Sequence, residues 1–89
     1  MKHAINSLFY HSTPDGKMHY GIIREYFEFS EAYQIDYYQW AKDEPLSYKY
    51  IGRGYLFAEE IDKFIIDQFP LVLSIFKNYV EENNLILPI

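Results

Sequence analysis

Apolar residues at Ile61, Phe64, Ile65, Phe69, Val72, Ile75, Phe76, Tyr79 and Val80 recur at steps of three and four, with Glu59, Glu60, Asp62, Lys63, Asp67, Lys77, Glu81 and Glu82 between and around them. That spacing stacks side chains on one face of a helix. Pro70 interrupts the pattern. It has no N–H to donate, and it pushes Phe69 away from helical geometry. The pattern therefore predicts a helical region over about 58–83, broken near 67–70. Glu59 and Glu60 suit the positive end of the first helix, and Asn83 and Asn84 are candidate left-handed terminators of the second.

Upstream, over about 4–57, the period shortens to two and the pattern reads as a β-meander. Thr13-Pro14-Asp15-Gly16 has the residues of a type I turn closed by a glycine bulge. With Thr13 opposite Lys17, Tyr10 faces Tyr20, Leu8 faces Ile22 and His11 faces His19. A one-residue slip would scatter the apolar side of this hairpin, which fixes the register. The second strand is expected over about 17–29, with a bulge at Ile22-Ile23 where the alternation switches. Residues 30–44 hold too many scattered aromatics for a helical stripe and read as a strand that follows a Ser30-Glu31-Ala32 turn. Asp43-Glu44-Pro45 makes the next loop. The last strand covers 47–57, with Ile51, Tyr55 and Phe57 on one side and Gly52 and Gly54 leaving a gap on the Tyr48 and Tyr50 side. The tail 85–89, LILPI, is apolar enough to pack on the domain or to add a fifth, edge strand. The expectation is one α+β domain spanning 1–89: an antiparallel sheet of four strands, packed on one face by the C-terminal helices.

Composition changes the picture in one respect. Of 89 residues, 20% are aromatic, with ten Tyr, seven Phe and one Trp. Tyr needs a partner or water for its hydroxyl, so a Tyr-rich chain keeps aromatic area near its surface. A compositional bias that also favours Ile over Ala explains the same numbers. The chain has no Cys, which removes disulfides and thiolate metal sites and suits a reducing, cytoplasmic setting. No apolar run approaches a membrane span, and no signal peptide is expected.

Net charge is −5, which argues against direct nucleic-acid binding, since phosphates need clusters of Lys and Arg. Residues 25–44 hold six acids against Lys42 alone, an excess equal to the whole net charge. Tyr26, Tyr33, Tyr37, Tyr38 and Trp40 lie among them. Glu25, Glu28, Glu31, Asp36, Tyr37, Tyr38 and Trp40 are thus the candidate partner-binding residues, the acids to steer and the rings to anchor. The bland alternative is an acidic strand face that only keeps an edge soluble. Aromatics on a sheet also suit single-stranded RNA, but such platforms carry positive charge and this segment is acidic.

His11 and His19 form the one pair with metal-ligand chemistry, and two ligands fall short of a site. Gly52-Arg53-Gly54 lacks a phosphate-loop pattern, and no nucleophile elbow or metalloprotease motif is present. No catalytic residue and no cofactor is expected. The leading expectation is a small binding module for a basic protein that handles nucleic acid, acting as an inhibitor in the manner of immunity proteins or phage-encoded antagonists. The alternative is a structural or regulatory domain that self-associates as a homodimer through its surplus aromatics. A small metal protein or enzyme ranks third.

Overall fold

In a computed structural model of the chain, residues 3–40, 48–66 and 70–86 are described. Four strands, β1 (Leu8–Ser12), β2 (Met18–Phe27), β3 (Ala32–Trp40) and β4 (Tyr48–Phe57), are followed by helices α1 (Ala58–Ile66) and α2 (Pro70–Glu82). The sheet is antiparallel in the order β1-β2-β3-β4, an α+β meander closed by two C-terminal helices. The loop expected at Asp43-Glu44-Pro45 and the end of the tail lie outside the described residues.

The hairpin register is the expected one. Tyr10 pairs with Tyr20, Leu8 with Ile22 and His11 with His19. Gly16 takes φ 83° in the turn, and Thr13 and Lys17 are joined by a 2.8 Å backbone hydrogen bond. A left-handed Asn84 (φ 55°) ends α2, and the Leu85 N–H donates to the Val80 carbonyl at 2.9 Å. This closes the helix and turns Leu85 onto the core.

Both faces of the sheet are covered, and each helix takes one. Tyr10, Tyr20, Ile22, Tyr38 and Tyr48 meet Phe76 and Val80 of α2. Phe9, Ile23, Tyr33 and Ile35, from the opposite side of the same strands, meet Ile61 of α1. The break expected near 67–70 falls largely outside the described residues. The sequence reading put the helical region on one face, but α1, which ends at Ile66, and α2, which starts at Pro70, lie on opposite faces. This also accounts for Ile22 and Ile23. Each is fully buried because each points into its own core, so no bulge is needed between them. The bulge lies one position later, between Ile23 and Glu25, and Arg24 is the extra residue. The turn before β3 also differs from expectation: it spans 28–31, with Glu31 at φ 52°, and Ala32 already pairs in the sheet.

A second irregularity in β4 falls between the Tyr37–Gly52 and Tyr38–Tyr50 pairs, leaving Ile51 without a partner. It reverses the expected facing of the glycines. Gly52 and Gly54 lie on the α1 face, opposite Tyr37 and Ile35. A Cβ at Gly54 would come within 2.9 Å of the Tyr37 ring, and one at Gly21 within 2.6 Å of Phe9. The gap in the strand is therefore the space these rings fill.

Candidate functional site

The seven acidic and aromatic residues singled out in 25–44 do not form one surface. β3 alternates, sending Tyr37 to the α1 face and Asp36, Tyr38 and Trp40 to the α2 face. Tyr38 is buried under α2, with Phe76 and Tyr79 rings 5.8 and 6.2 Å away. Tyr37 is half-buried on the α1 side, where burial and the nearby Glu60 charge push its hydroxyl up to about 12. Trp40 is exposed at the far end of β3. Glu25 is exposed in the sheet, and Glu28 and Glu31 are exposed in the turn.

Asp36 departs most from an exposed docking acid. Its side chain is 8% exposed and is held between two guanidinium groups. Arg24 Nε donates to Oδ2 at 2.7 Å and Arg53 Nε to Oδ1 at 2.9 Å, while the Tyr50 hydroxyl donates to Oδ1 at 3.3 Å. Arg24 also donates to Asn6 Oδ1 at 3.0 Å. Burial would raise the Asp36 carboxyl, but the hydrogen bonds and charges of Arg53 and Arg24 outweigh it and hold the group below its ordinary value. The two bulges build this cluster. One turns Arg24, and the other Arg53, onto the same face as Asp36.

Around that cluster the α2 face is open. Beyond Asp36, β3 presents Gln34 and Ala32 there, flanked by Glu25 and Phe27 on β2 and by Tyr55 and Phe57 on β4. Tyr55 is 61% and Phe57 59% exposed. Gln34 donates to the Tyr55 hydroxyl at 3.3 Å, and the Tyr55 and Phe27 rings lie 6.0 Å apart. None of these aromatics except Phe27 belongs to 25–44. Their signal was the surplus of rings itself, blurred because Ile51 shifts the facing of β4.

The end of the molecule at the β2–β3 turn is acidic and aromatic. Antiparallel pairing brings Phe57 back beside Ala32, and the Ala58 N–H donates to the Glu31 carbonyl at 2.8 Å. α1 thus starts against the turn and adds Glu59 and Glu60 to Glu28 and Glu31. Glu31, Phe57, Glu59, Glu60 and Lys63 line a shallow cleft of about 290 Å³. Phe29 stands at the tip, fully exposed. A large apolar side chain inside a turn sequence was the signal that could have marked it.

His11 and His19 face each other with ring centroids 5.7 Å apart. Among the described residues no group of three His, Cys, Asp or Glu could hold a metal ion. His11 instead stacks on Phe64 of α1 at 4.5 Å. Burial lowers its pKa, as does the neighbouring His19, while the Ser12 carbonyl and Glu60 oppose the shift. Among the described residues no helix is long and apolar enough to cross a membrane. Searches against family models, curated proteins and solved structures give no match.

Proposed function

We propose that the protein is a small binding module that docks through its β2–β3 end on a positively charged protein. The observation that carries this reading is Phe29, wholly in water in a turn that also exposes Glu28 and Glu31, with Glu59, Glu60 and Lys63 of α1 lining a cleft beside Glu31. An exposed Phe does nothing for the fold, yet burying it in a partner is worth roughly 1.5–3 kcal/mol. The carboxylates steer a basic partner towards it. A protein that handles nucleic acid is the natural basic target, and occupying its phosphate-binding surface makes the module an inhibitor. The lack of Cys suits a reducing, cytoplasmic setting for this encounter.

The test is capture from a lysate at low and high salt, comparing the wild type with Phe29→Ala and with Glu28→Lys/Glu31→Lys. The expected partner is basic, is released as salt rises, and binds the Phe29→Ala chain about 2 kcal/mol more weakly. Retention of the same proteins by both variants would sink the proposal.

A further inference from the structure

The open half of the α2 face is charge-balanced, in contrast to the acidic end at the β2–β3 turn. Arg24, Asp36, Arg53 and Glu25 sum to zero there, in a chain of net charge −5. Its flanks differ in sign. On this face the β2 side carries the exposed Glu25 beside an Arg24 already bound to Asp36, while the β4 side carries Arg53 and no acid. The Arg53 side chain is 51% exposed despite its bond to Asp36.

We propose that this half-face is where a second copy of the chain docks, related by a two-fold axis running parallel to β3. Such an axis lays the β2 flank of one copy over the β4 flank of the other, so that Glu25 approaches the partner's Arg53 and each copy supplies the charge the other lacks. At the axis lie Gln34, already bonded to Tyr55, and Asp36, already neutralised, so no unpaired like charges meet. Tyr55 and Phe57 supply the apolar area. The acidic β2–β3 ends of two copies repel each other, whereas this patch is charge-balanced and carries exposed rings. A basic partner meets Arg53 there, and a nucleic acid meets Glu25, so both fit less well than a copy.

From Asp36 to Ala32 the patch spans three strands and about 13 Å along them. That is at the small end for a specific interface, so the dimer is weak and forms in the micromolar range or above. Sedimentation velocity over a concentration series reads it directly. The wild type should pass from monomer to dimer. Glu25→Lys and Tyr55→Ser, with unchanged circular dichroism, should each raise the dissociation constant roughly tenfold or more. Phe29→Ala should leave it unchanged, which separates self-association from docking through the turn. A wild type that stays monomeric to millimolar concentration overturns the proposal. So does a dimer that survives both Glu25→Lys and Tyr55→Ser.

Discussion

Asp36 shows how far one residue's role depends on distant partners. Read along the chain it is one acid among six. In the fold it is the shared acceptor of Arg24, 12 positions upstream, and Arg53, 17 positions downstream. Replacing it with Asn leaves a guanidinium that is 7% exposed facing a neutral amide. The loss is expected to be about 3–5 kcal/mol, the usual result of breaking a buried ion pair from one side. Urea unfolding at neutral pH measures it, and a loss near zero would show that the cluster is not structural. The pH dependence carries a second signature. The carboxyl titrates lower in the folded chain than in the unfolded one. Its contribution is therefore complete above the unfolded pKa and is lost as pH falls through the folded value. Asp36→Asn should flatten the acid side of the stability profile. The pairing was illegible in the sequence because it needs two bulges, and a bulge at Arg24 or Ile51 leaves only a broken alternation behind.

At the scale of elements, more could be read. The Thr13–Gly16 turn fixed the first hairpin through local chemistry alone, and the helical period with Pro70 marked α1 and α2. Local patterns do not say which side of a sheet a helix covers. β2 and β3 carry large apolar residues on both sides, and that double-sided pattern was the available sign of two cores. Phe76 and Ile61, each fully buried, anchor the helices in separate clusters. Phe76→Ala should cost about 3–5 kcal/mol and Ile61→Ala about 2–5 kcal/mol. Because they share no cluster, the double variant should lose the sum to within about 0.5 kcal/mol. Denaturation of the three variants tests this, and strong non-additivity would mean the two faces are coupled through the sheet.

For the whole molecule, tyrosine burial on both faces sets a limit at high pH. Burial first, and then Glu60, pushes the Tyr37 hydroxyl on the α1 face up to about 12 from 10.0. Burial and then Tyr20 do the same for Tyr48 on the α2 face, also to about 12. A phenol held neutral by the fold stabilises it fully below the unfolded pKa, and that contribution is lost as pH rises through the folded value. Stability should therefore fall between pH 10 and 12, with tyrosinate absorbance and loss of circular dichroism moving together. Ionisation of all tyrosines before any unfolding would contradict it. The candidate surfaces were only half legible at this scale. Acid and aromatic enrichment near 25–44 takes in the turn where Glu28, Phe29 and Glu31 stand exposed. The rings that share the open face come instead from β4, brought alongside by pairing.

The central position of the sheet has a consequence for how the molecule is made. All four strands precede both helices in the chain, so on the ribosome the meander emerges with Phe9, Ile23 and Ile35 bare on one side and Tyr20, Ile22 and Tyr38 on the other. Its two covers arrive only after the whole sheet, and each takes its own face. A nascent chain halted after β4 is a ribbon sticky on both sides, and the step most exposed to loss is the wait for residues 58–82.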